Sequence, residues 1–185
     1  MSEEKTVARI PFHWAVAIVV ALVVPLSFYL DKFNFTLWVS FIAWAEYFIF
    51  GSTSKAFKLL FPCWLYGTIL SVFWMGLTVA FTNFMPLMWA LIVSNFIAVT
   101  LLVWGLKFYK LGEGALAVFG GFTCLLGIYF TNSMPKVGPM DNPYYVVLIS
   151  GVWCVLMGYF GHFIGWLNIF LTFPRKVPAD STVKG

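Results

Sequence analysis

Charge is what this chain has least of. Asp, Glu, Lys and Arg together make up 10% of its 185 residues, and no long stretch sets a polar face against an apolar one. That balance excludes a water-soluble domain. Histidine occurs only twice, and cysteine three times, at Cys63, Cys124 and Cys154, far apart and within apolar segments. With no CxxC pair and no Cys/His ligand spacing, neither a structural metal site nor a secreted disulfide framework fits; the cysteines read as small buried residues. The two histidines, His13 and His162, fall at different depths, which argues against axial haem ligation. Paired carboxylates, a nucleophile elbow and a phosphate-cradling glycine loop are all missing, and Lys110 to Gly114 is a short turn. The expectation is a protein that is not an enzyme and holds no cofactor and no metal. The formal charge of +4 comes from cations scattered singly at segment ends, so no nucleic-acid partner is expected.

Apolar sequence is there in abundance. Hydrophobic residues reach 62% and aromatic residues 21%, gathered into six stretches: Phe12–Leu30, Phe35–Phe50, Ala56–Thr82, Pro86–Leu106, Ala115–Thr131 and Tyr144–Leu171. Runs such as Trp14 to Leu30 and Val146 to Ile169 are apolar all the way round, so their solvent is lipid. Charges and turn formers punctuate them, from Asp31-Lys32 to the Pro/Gly-rich run Ser133 to Pro143. The predicted fold is all-α: one polytopic transmembrane domain over residues 1–185, with six helices and the lipid bilayer as its first partner. Glu3 and Glu4 weaken the start as a signal peptide, and no small-x-small cleavage site precedes Asp31, so the first stretch counts as a permanent span.

Six spans put both termini on one side. Lys5, Arg9, Lys55, Lys58, Lys107, Lys110, Arg175, Lys176 and Lys184 then share that side, against Lys32 and Lys136 on the other. The positive-inside rule makes the first side cytoplasmic. Span length carries a second signal, running medium, short, long, then medium, short, long. The second and fifth spans are about 16–17 residues and the third and sixth about 27. Two halves of three spans would sit in opposite orientations, a 3+3 inverted repeat of the kind that surrounds a central solute pathway. Phe41-Ile-Ala-Trp44 aligns with Phe119-Gly-Gly-Phe122. Tilted long helices without internal symmetry account for the lengths equally well.

Glu46 is the one acidic residue well inside a span, where a charge needs a partner or water. It either reaches the interface or pairs with Lys55 or Lys58, or else it gates a pathway. His162 borders a stripe of small residues, Gly151, Cys154, Gly158, Gly161, Gly165 and Asn168, at steps of three and four. Close helix packing explains the stripe better than a pore lining does, and His162 itself is either a packing histidine or a solute- or proton-sensing one. The third span carries Trp64, Gly67, Ser71, Trp74 and Thr78 on one face, a packing surface or a narrow amphipathic constriction suited to a weakly polar solute. Asn95, Thr68 and Thr123 lie near mid-membrane depth and complete the solute-pathway candidates. Trp14, Trp38, Trp89, Trp104 and Trp166 stand near span ends, where aromatic belts belong.

From Trp38 onward the pattern resembles the YcdZ-like bacterial inner-membrane proteins, a family defined as a domain of unknown function. The likeness lies in Phe41-Ile-Ala-Trp-Ala-Glu-Tyr-Phe48, in Gly51 through Lys58, and in Gly67 and Trp74. It continues in Glu113-Gly-Ala-Leu-Ala-Val-Phe-Gly-Gly121 and around Gly158-Tyr159, covering roughly residues 35–171. The resemblance implies a small polytopic protein of the bacterial inner membrane and supplies no substrate. The functional expectation is a homo-oligomeric channel or facilitator for a small, uncharged or weakly polar solute. Its rivals are a proton- or ion-coupled transporter using Glu46 and His162, and an accessory subunit of a larger membrane complex.

Overall fold

The computed structural model describes residues 4–7, 10–30, 33–172 and 175–178. Six helices follow one another: α1 (Phe12–Tyr29), α2 (Leu37–Ile49), α3 (Ser54–Phe81), α4 (Leu87–Gly105), α5 (Ala115–Phe130) and α6 (Pro143–Thr172). Every helix end lies within two residues of its predicted span, because the breaks are chemically marked. Pro11 and Pro86 stand at the N-cap positions of α1 and α4. Gly51 at φ +88° and Ser52 at φ +54° turn the chain out of α2 in the left-handed region. Pro143 opens α6 as its first residue, and the Asn142 side-chain oxygen accepts the amides of Tyr144 and Tyr145 at 3.0 and 3.3 Å.

One element departs from the all-α expectation. A short antiparallel ladder pairs β1 (Glu4–Val7) with β2 (Arg175–Pro178), in the register Glu4 to Pro178 and Val7 to Arg175. The Ile10 amide then donates to the Thr172 carbonyl at 3.4 Å. The segments flanking α1 and α6 are thereby held side by side. Arg9, Lys32 and Lys184, three of the cations counted for topology, lie outside the described residues.

Consecutive helices run up and down. At the ladder end the Phe12 ring meets Phe48 at 5.3 Å, Leu111 packs with Ala56, Leu60 and Tyr47, and Gly114 abuts Cys63 and Leu59. Lys55, Lys58, Lys107 and Lys110 belong to this same end. At the far end Asn34 donates to the Met134 carbonyl at 2.8 Å, and the Trp153 indole donates to the Asn34 carbonyl at 3.1 Å. Lys136 follows Met134 there. The outside carries large apolar side chains, with Phe28, Phe84 and Phe96 at 77, 82 and 74% exposure. Trp14, Trp38, Trp89, Trp104 and Trp166 are also exposed near helix ends. Such a surface is stable in lipid and not in water.

Four helices, α1, α3, α4 and α6, are long and apolar enough to cross a membrane alone. α2 and α5 have 13 and 16 residues, about 20 and 24 Å at 1.5 Å per residue. That is short of a hydrocarbon layer of roughly 30 Å. Both short helices are interior: α2 packs on α6, α5 and α3, while α5 packs on α3, α6 and α2. α4 docks on α3, and α1 docks on α6. Exchanging α1 with α4, α2 with α5 and α3 with α6 maps the α2–α5 pairing onto itself and each of the others onto another of them.

Two close approaches obey the same exchange. A Cβ on Gly67 of α3 would overlap the Val118 carbonyl of α5, and one on Gly161 of α6 would overlap the Ser40 carbonyl of α2. Ser40 and Val118 each precede the matched phenylalanines Phe41 and Phe119 by one residue. The rest of the α6 stripe is likewise filled from within the protomer. Gly151 faces Val72, Gly158 faces the Trp64 indole, and Gly165 faces Trp44 and Tyr47.

Candidate functional site

The closeness of α2 to α6 sets the site. With Gly161 pressed on Ser40 and Ala43, and Gly165 on Trp44 and Tyr47, the parallel helices run almost backbone to backbone. Glu46, one turn before the end of α2, then reaches His162, next to Gly161. Its Oε2 lies 3.6 Å from Nε2 of the imidazole, with both side chains buried at 4 and 0% exposure. Among the described residues the contact of Glu46 at ion-pair distance is with His162, while Lys55 and Lys58 are exposed.

Neighbours from two further helices close the site. Gly120 of α5 leaves the room that the Glu46 carboxyl occupies, since a Cβ there would overlap Oε1. From α3, the Trp64 ring meets His162 edge-on at 5.7 Å, and Phe61 lies 5.6 Å away. Phe61 also stacks on Tyr159 at 4.4 Å, whose hydroxyl donates to the Phe61 carbonyl at 3.1 Å. The pair therefore stands where the four interior helices meet. Either a carboxylic acid beside a neutral imidazole or a carboxylate beside an imidazolium leaves the pair with no net charge. A net charge in such apolar surroundings would be far costlier.

Most buried hydroxyls are satisfied locally. Ser94 donates to the Ala90 carbonyl at 2.6 Å, Ser150 to Val146 at 2.7 Å, and Thr68 to Trp64 at 3.0 Å. Thr78 and Ser94 also join α3 to α4 at 2.7 Å. A second set has no hydrogen-bond partner among the described residues: Thr36 Oγ1, Trp44 Nε1, Glu46 Oε2, both His162 nitrogens, both Asn168 amide atoms, Ser71 Oγ and Trp74 Nε1. All but the last two belong to α2, to its N-cap residue or to α6. At the far end of this seam, an open recess of about 610 Å³ is lined by Ser27, Asn34, Thr36, Trp38 and Ser133, among others.

The pathway candidates divide. Glu46, His162, Trp64 and Thr68 come together in the interior, and Ser71 is buried further along α3; Trp64 is fully buried and its indole donates to the Cys154 carbonyl at 3.1 Å. Trp74 lies further along α3, stacked on Phe122 at 5.4 Å. Thr123 is exposed, its hydroxyl bonded to the Phe119 carbonyl at 2.8 Å. Asn95 is half-buried on the outer side of α4, beside Ile92, Phe96 and Val99. Neither Thr123 nor Asn95 reaches the interior, because the small residues beside them, Cys124 and Ser94, take the inward positions. Reading the sequence missed the seat that Gly120 offers Glu46; the Gly120-Gly121 doublet is the signal that could have found it.

Apolar helices with lipid-compatible exteriors around one buried acid–imidazole contact define a membrane protein. Within that class, a family model described as a protein of unknown function (DUF1097) matches residues 15–166, and the chain belongs to that family. The match takes in most of α1, which the resemblance from Trp38 onward left out. No curated protein and no solved structure matches the chain.

Proposed function

We propose that this chain is a facilitator for a small, uncharged or weakly polar solute in the bacterial inner membrane. All six helices span, as a 3+3 inverted repeat with both termini cytoplasmic. The pathway follows the α2–α6 seam from the recess at Asn34 and Thr36 to Glu46 and His162. The observation that carries this reading is the line of buried, unpartnered polar atoms along that seam. Each such atom costs about 1–3 kcal/mol in an apolar interior. A passing solute with donors and acceptors would meet those needs in turn.

The exchange symmetry of the helix packing supports the repeat, and the gathering of Lys55, Lys58, Lys107 and Lys110 at the ladder end supports the orientation. Short interior helices fit the repeat, since their ends can stop below the membrane surface where protein covers them. The seam is closed where Gly161 meets Ser40 and Ala43. Passage therefore requires the two halves to move, as in alternating access, and a permanently open pore is disfavoured. The Glu46–His162 contact is what the rival reading, a proton-coupled transporter, would use, because the pair can take up or release a proton at the junction of the halves. Among the described residues the pair makes no further ion pair, which disfavours a charged solute.

The test is flux through the purified protein in liposomes, against a panel of small polyols, amides and weak acids, with and without a pH gradient. Saturable movement of at least one solute down its own gradient is expected, and stimulation by the pH gradient would favour the proton-coupled transporter instead. A panel in which nothing moves faster than in protein-free liposomes overturns the reading. Stable co-purification with another membrane protein would then favour the accessory-subunit role.

A further inference from the structure

α4 has one committed face. Ala90, Ser94, Ala98, Leu102 and Gly105 are buried, and α3 is its principal neighbour. The opposite side is apolar and exposed: Met88, Ile92, Phe96 and Val103 are 62, 51, 74 and 49% accessible. Asn95 stands at the edge of that exposed side, partly accessible, with eight residues of the 19-residue helix before it and ten after. It is thus at the middle of an apolar span. Among the described residues its amide makes no hydrogen bond. Thr100, on the same side, meets its own need by donating to the Phe96 carbonyl at 2.7 Å. Lipid tails offer Asn95 no donor or acceptor, and head groups lie about 15 Å away on either side.

We infer that a second copy of this chain docks on the outer side of α4, the two Asn95 amides bonding to each other across a two-fold axis normal to the membrane. Two copies inserted with the same topology hold Asn95 at the same depth, so this axis brings amide to amide. An amide both donates and accepts, so a copy of itself satisfies it. Met88, Ile92, Asn95 and Val99 recur at steps of four, three and four, the spacing of a paired-helix seam in which one asparagine fixes the register. A shallow groove beside Asn95, lined by Ile92, Phe96, Val99, Thr100 and Val103, can take apolar side chains of the partner helix. The glycines of α5 and α6 offer less, since Gly127, Gly151, Gly158, Gly161 and Gly165 are each already covered within the protomer.

The experiment uses the full chain in mild detergent and in liposomes. Native mass spectrometry and dilution-dependent energy transfer should find a dimer. Asn95→Leu should weaken it about three- to thirty-fold while the protein stays monodisperse and helical. Asn95→Gln should retain most of the association. Ile92→Cys should cross-link between copies under mild oxidant, whereas Leu22→Cys on the exposed side of α1 should not. A monomeric parent, an unweakened Asn95→Leu dimer, cross-linking through Leu22 instead, or capture of a different protein at α4 each overturns the proposal. None of these readouts involves solute flux, so their failure leaves the facilitator reading separately testable.

Discussion

Replacing Glu46 and His162, singly and together, tests whether their contact exists for stability or for function. If the imidazole holds the proton, unit charges 3.6 Å apart attract by about 4–5 kcal/mol at an effective dielectric of roughly 20. Withdrawing each ion from water costs several kcal/mol, so the two terms nearly cancel. If both groups are neutral, the gain is that of an imperfect polar contact, about 1 kcal/mol. In either case the pair adds little net stability, while each member alone is a liability. Glu46→Leu, taking the carboxyl away from the imidazole Nε2, should cost about 1–3 kcal/mol if His162 is neutral and about 3–5 kcal/mol if it is charged. His162→Phe should behave alike. The double variant, apolar on both sides, should recover to within about 1 kcal/mol of the parent, far below the sum of the singles. The assay is denaturant unfolding in mixed micelles followed by tryptophan fluorescence, alongside flux in liposomes. A double variant that is stable and transport-dead assigns the pair to function. Singles within about 0.5 kcal/mol of the parent, or a double equal to the sum, would refute the reasoning.

Two other expectations follow from the packing. Gly67→Ala and Gly161→Ala should each cost about 1–3 kcal/mol or more, since a Cβ overlaps a backbone carbonyl, whereas Gly76→Ala, with nothing within 4 Å, should gain up to about 1 kcal/mol of helix propensity. Thermal retention of monodisperse protein measures all three, and a tolerant Gly67 or Gly161 would contradict the matched approaches. Reporter fusions after Gly185 and within Ser133–Asn142 should report opposite sides of the membrane; a shared side would dispose of the six-span reading.

Helix limits were legible because Pro11, Gly51, Pro86 and Pro143 interrupt runs that are otherwise unbroken. Inward and outward faces were not, for a physical reason. In lipid the outer surface is as apolar as the core, so polarity marks neither side, and the inner face is marked instead by small residues. Asn95 therefore looked interior by depth, although Ser94 and Ala98 beside it hold the contact with α3. Thr123 misled in the same way next to Gly121 and Cys124. Glu46 and His162 were each visible as costly residues, yet nothing local joins positions 116 apart in sequence. Their meeting depends on the close approach of Gly161 to Ser40. The β1–β2 ladder escaped notice because four-residue segments carry too little pattern to be read.

That ladder also imposes an order in time. β1 is synthesised before α1 and β2 only after α6, so their pairing cannot form until every helix between them has been made. Until then the growing chain lacks this clasp. Once β2 emerges beside β1, the segment before α1 is tied to the segment after α6, the principal partner of α1. The pairing is thus a late stitch, available only to chains in which all six helices have been synthesised.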